Sequence, residues 1–120
     1  MELFNLDKPP FCYWSTFEKV NYLQRRIIVY SLMYYELNET CVPDKVYDKV
    51  SKQLINLQNE LSEEEFENTT YYYAMYDFDG TTGFDIPDRL TDKDKKYLIN
   101  LSIIILDNYR RENRRQIGRI

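Results

Sequence analysis

Asp77 and Asp79 flank Phe78 and run straight into Gly80-Thr81-Thr82-Gly83. Two carboxylates this close can act as nucleophile and acid–base, or as hard oxygen ligands for a cation. Asp77, Asp79, Thr81 and Asp88 fall at the first, third, fifth and twelfth positions of a calcium loop. Thr82 stands where the sixth position requires glycine, and the twelfth is normally glutamate, so a solvated acidic turn is expected instead. A second constellation lies further upstream. Tyr34 and Tyr35 precede a short connection ending at Pro43, and Asp44, Tyr47 and Asp48 follow it. Asp44 and Asp48 are four apart, so on a helix they share one face with Tyr47 beside them.

Composition removes several chemistries. The chain has no histidine, so imidazole acid–base work, His triads and His metal ligands are excluded from it. Cys12 and Cys41 alone cannot complete a four-ligand zinc site, and free thiols are expected. Met1-Glu2-Leu3-Phe4 lacks the basic start of a signal peptide, and Leu98–Leu106 is interrupted by Asn100 and Ser102. A cytoplasmic location and no membrane partner are therefore expected. A net charge of −4 argues against direct nucleic-acid binding. With 120 residues, 43% hydrophobic and 30% charged, one globular domain is expected. Aromatic residues reach 16%, 12 of them tyrosine, a residue suited to interfaces and pockets.

The elements that must position these residues read as mainly α. Residues 1–14 form an N-terminal arm held extended by Pro9 and Pro10, with Phe11, Tyr13 and Trp14 able to lie on the domain. Ser15 with Glu18 is a capping box, and Val20, Leu23, Ile27, Tyr30, Tyr34 and Leu37 make one stripe of a helix to about Leu37. Asp44 is expected to cap a second helix, whose stripe of Tyr47, Val50, Leu54, Leu57 and Leu61 extends to about Phe66. Residues 15–66 thus read as an antiparallel helical hairpin. Residues 69–90 read as a Tyr-rich extended segment or small β-hairpin around the glycine turn. Thr91 caps a third long helix over 91–117, with Tyr97, Leu98, Leu101, Ile104 and Ile105 as its expected buried face.

Three resemblances bear on function. Asp77-Phe78-Asp79-Gly80-Thr81 resembles the Asp-x-Asp-Gly-Thr signature of haloacid dehalogenase-type phosphatases. That fold needs several βαβ units after the motif, and the residues that follow read mostly as one helix, so no catalysis is expected. The stretch from Tyr34-Tyr35 through Pro43-Asp44-Lys45-Val46-Tyr47-Asp48 resembles the N-terminal helical domain of NAD-dependent DNA ligases. That domain carries Tyr-His, a short loop and Asp-x-x-Tyr-Asp, and holds the nicotinamide mononucleotide half of NAD. The resemblance implies that Tyr34 and Tyr47 stack or hydrogen-bond, and that Asp44 and Asp48 hold the ribose and the cationic ring. Tyr35 departs from it, standing where histidine is usual. The ligase's Lys-x-Asp-Gly motif is absent, so self-adenylation and DNA sealing are not implied. The whole chain also resembles small stand-alone ligase-like proteins of phages that infect Gram-positive bacteria.

The leading expectation is a non-enzymatic binding protein, a phage-encoded inhibitor of a host defence or replication protein in the manner of anti-CRISPR proteins. The alternative is a binding module for NAD or nicotinamide mononucleotide through Tyr34, Tyr35, Asp44, Tyr47 and Asp48. No other cofactor and no metal are expected. Tyr71, Tyr72 and Tyr73 cannot all face inward on an extended segment, where side chains alternate, so at least one ring should be exposed. Glu63, Glu64 and Glu65 make an acidic edge, and Arg110, Arg111, Arg114 and Arg115 a basic end that could grip an acidic surface or pair two protomers in a homodimer.

Overall fold

The computed structural model describes residues 6–118, with side chains to residue 113. Helix α1 spans Thr16–Tyr35. Its start is the expected capping box: the Glu18 amide donates to Ser15 Oγ and the Ser15 amide to Glu18 Oε1, both at 3.2 Å. Such a cap contributes about 1 kcal/mol. Val20, Leu23, Ile27 and Tyr30 are buried as the stripe requires, but so is every residue from Ile27 to Met33. A helix buried on all sides is the centre of a fold and not a face laid on it. Each fully buried Leu, Ile or Met contributes about 2 kcal/mol, so packing outweighs propensity in holding α1.

Helix α1 stops at Tyr35, before Leu37, and Asn38 turns the chain with φ of 54°. Asparagine tolerates this left-handed conformation better than other non-glycine residues. Helix α2 spans Asp44–Gln58 and buries Val50, Ser51 and Leu54. Its N-cap is Pro43, and Asp44 is the first helical residue instead of the cap. The expected run to Phe66 is broken at residues 59–62. Ser62 opens a separate short helix α3, Glu63–Glu67, by its own capping box with Glu65.

The expected β element is not found, and no strand occurs among the described residues. Residues 69–90 instead hold two short helices, α4 at Tyr72–Met75 and α5 at Ile86–Arg89, with the glycine turn between them. The reason is visible in what is buried. Tyr71, Ala74, Met75 and Phe78 all face inward, and their spacing is helical. The segment is tied to α1, where the Gln24 amide donates to Thr69 Oγ1 at 3.2 Å and Asn21 Oδ1 accepts from the Thr70 amide at 2.9 Å.

Helix α6 spans Asp92–Gly118, and Thr91 Oγ1 accepts from the Asp94 amide at 3.2 Å as its cap. Helix α1 packs against α2, α5 and α6. Leu98, Ser102 and Leu106 are the buried line of α6, the Ser102 hydroxyl donating to the Leu98 carbonyl at 2.7 Å. Tyr97 and Ile104, expected in that face, are 55% and 57% exposed. The polar Ser102 occupies the middle of the contact and disguised its phase. Of the N-terminal arm, Leu6 is buried, residues Phe11–Tyr13 form a 3-10 turn, and Phe11 and Trp14 pack on Tyr22, whereas Tyr13 stands in solvent. Both cysteines are free. No helix among the described residues is long and apolar enough to cross a membrane.

The two faces of α6 should respond differently to truncation. Leu98→Ala is expected to cost about 2–5 kcal/mol, and Ile104→Ala no more than about 0.5 kcal/mol. Urea denaturation of the two variants measures the difference.

Candidate functional site

A cavity of about 350 Å³ opens where α1 ends and α2 begins. The last turns of α1 supply Tyr30, Ser31, Tyr34 and Tyr35 to its wall. The connection adds Thr40 and Val42, and the first turn of α2 adds Asp44 and Tyr47. The remaining wall comes from far along the chain: Thr81, Thr82 and Gly83 of the glycine turn lie across the junction. The two constellations that stand apart in the sequence therefore build one site.

Two phenols fasten the turn. Tyr47 donates to the Thr81 carbonyl at 2.9 Å, and the Tyr35 and Thr82 hydroxyls are 3.0 Å apart. Within the turn, Asp79 Oδ1 accepts from both the Thr81 amide and the Thr81 hydroxyl. Gly80 carries φ of 91°, a conformation that suits glycine. Gly83 lies against α1 so closely that a Cβ there would sit 2.1 Å from Ser31 Oγ and 3.2 Å from Ser31 Cβ. Ser31 itself is held by donating to the Ile27 carbonyl at 2.9 Å. Phe84, just beyond, meets the Tyr35 ring edge-on at 5.5 Å.

Asp77 and Asp79 are thus engaged in building the turn. Asp77 accepts from both ends of the Arg89 guanidinium, and this bond holds its carboxyl below the usual carboxylate range. The Thr81 hydroxyl does the same for Asp79. Both line a separate, smaller cleft of about 170 Å³. Among the described residues no group of three or more acidic, Cys or His side chains is placed to hold a metal ion.

In the junction cavity the rings differ in depth. Tyr30 is buried, Tyr47 is half-buried 6.4 Å from it, and Tyr34 is 62% exposed at the rim. Tyr35 meets Tyr34 at 4.9 Å and 80°. Burial pushes the Tyr30 phenol far above its ordinary range and raises that of Tyr47 as well. Both remain neutral donors at physiological pH. Of the predicted ligand residues, Tyr34, Tyr35, Asp44 and Tyr47 come together, while Asp48 is exposed and does not line the cavity.

The predicted interaction surface is dispersed. Tyr71 is buried, Tyr72 packs edge-on against Phe66 at 5.0 Å, and Tyr73 is partly exposed with its hydroxyl on the Asp94 carboxylate. Glu63 and Glu64 are exposed on α3, where Glu65 serves the capping box. Arg110 pairs with Glu39 and Asp107, Arg111 is exposed, and the side chains of Arg114 and Arg115 lie outside the described residues. Sequence reasoning missed Tyr30, Ser31, Thr40, Val42 and residues 81–83 as cavity wall. Tyr30 was detectable, lying one turn before Tyr34 on the same stripe. No protein-family model, curated protein or solved structure matches the chain.

The turn's seat on α1 gives a direct test. Gly83→Ala is expected to destabilise the fold by about 1–3 kcal/mol, because the added methyl overfills a closed contact. Ser31→Ala in the same chain should recover part of this loss, since the nearest clashing atom is then gone. Paired denaturation curves of the single and double variants measure both effects.

Proposed function

We propose that this chain is a binding protein without catalysis of its own, and that the junction cavity takes the nicotinamide mononucleotide half of NAD. The observation that carries this reading is the convergence of Tyr34, Tyr35, Asp44 and Tyr47 around one cavity. The size supports it. Ligand pockets span about 300–1,000 Å³, and one of about 350 Å³ suits a single ring with its sugar better than a dinucleotide. Tyrosine faces and a carboxylate together favour a cationic ring. Titration calorimetry with nicotinamide mononucleotide tests the reading. Saturable heat is expected, lost in Tyr34→Ala with an unchanged circular-dichroism spectrum, because Tyr34 is a rim residue. No heat at millimolar ligand overturns it.

A second reading is the phage-encoded inhibitor of a host defence or replication protein. It is favoured by Tyr97, Ile103 and Ile104, exposed large apolar side chains on α6. Tyr97 and Ile104 are seven residues apart on one face of the helix with Ile103 beside Ile104, and apolar side chains grouped on a surface favour a protein partner. A pull-down from host lysate with the wild-type chain and with a Tyr97→Ala/Ile104→Ala variant tests it. One host protein retained by the wild type and lost by the variant is expected, and identical profiles for the two overturn it.

A further inference from the structure

We infer that the junction cavity selects its ligand by positive charge on a small organic cation, and makes no use of a phosphate. This rests on the reading of the cavity as a ligand site and names what the site recognises. Among the described residues, Asp44 is the one charged side chain in its wall, and neither lysine nor arginine lines it. A phosphate entering there meets a carboxylate and no counter-charge.

The cations on the neighbouring segments stay out of the wall. Lys95 pairs with Glu36 at 3.0 Å, and Arg110 pairs with Glu39, both on the chain leaving α1. Arg26 lies over the Tyr22 and Tyr30 rings at 5.5 and 6.0 Å and is not part of the wall. Lys45 follows Asp44 on α2 but does not line the cavity either.

What remains is aromatic. Tyr30, Tyr34, Tyr35 and Tyr47 present four rings, with the Tyr34–Tyr35 pair inclined at 80° and the Tyr30–Tyr47 pair at 56°. The Tyr35 and Tyr47 hydroxyls are already hydrogen-bonded to the turn, which weakens them as donors to a phosphate. Steeply inclined aromatic rings beside a carboxylate attract a poorly hydrated organic cation, whether a pyridinium or a quaternary ammonium. The backbone fields agree. The C-terminal end of α1 brings partial negative charge to the cavity, and Asp44 in the first turn of α2 offsets that helix's positive end.

The experiment is calorimetry on the full chain with four probes: N1-methylnicotinamide, neutral nicotinamide, nicotinamide mononucleotide and choline. N1-methylnicotinamide is expected to bind about tenfold tighter than nicotinamide, the scale of a desolvated cation–aromatic contact. Nicotinamide mononucleotide should bind no tighter than the methylated ring. Asp44→Asn should weaken the cation about fivefold and leave nicotinamide unchanged. Choline binding without N1-methylnicotinamide binding upholds charge selection and overturns the nicotinamide reading. Equal affinity for charged and neutral rings overturns charge selection while the nucleotide reading stands. The same holds if the mononucleotide binds tenfold tighter than the methylated ring. Silence from all four probes overturns both.

Discussion

Every residue from Ile27 to Met33 is buried, so this stretch of α1 must be covered on all its sides. A single amphipathic partner cannot do this, since it covers one stripe. Helices α2 and α6 cover two directions, and α5 with the chain leading into it covers another. The glycine turn completes the cover at the C-terminal end, where Ser31 is met by Gly83 with no room for a side chain. The cavity lies where this cover meets the α1–α2 connection, walled by the rings of Tyr30, Tyr34, Tyr35 and Tyr47 and by residues 81–83 of the turn.

The helices were the legible part of this architecture. The Ser15–Glu18 cap, the α1 stripe, the α2 stripe and the Thr91 cap all follow from local hydrogen bonding and period, which depend on neighbours in the chain. The segment from Thr69 to Leu90 was misread for a different reason. Its tyrosines are β-formers and mask Tyr71, Ala74, Met75 and Phe78, whose spacing is that of one helical face. The Ser62–Glu65 capping box was equally present in the sequence, but Leu61 and Phe66 prolonged the apolar pattern across it.

The candidate site was half legible. Tyr34, Tyr35, Asp44 and Tyr47 lie within one supersecondary unit, so their proximity follows from the hairpin alone. The contribution of residues 81–83 did not, because it depends on which face of α1 the turn lands on. That choice is made by a steric fit between Gly83 and Ser31 and by two phenol hydrogen bonds, none of which has a local signature. Asp48 shows the converse. Helical spacing places it near Asp44 on the helix surface, but it is exposed and the cavity wall does not extend to it.

The same turn explains why the Asp-Phe-Asp-Gly-Thr stretch need not be an enzyme's motif to have that composition. Asp79 is wanted as an acceptor for the Thr81 amide and hydroxyl, Gly80 for its positive φ, and Gly83 for its close approach to α1. Asp77 anchors the beginning of the turn to Arg89 on α5, the helix that follows it. Each residue type is thus required by the geometry of a strap drawn tightly over a buried helix. The strap in turn leaves the Tyr35 and Tyr47 oxygens facing the turn. A demand made by the core, that α1 be covered, therefore fixes the chemical character of the cavity: aromatic faces and one carboxylate, with the polar tips of two of its rings already taken.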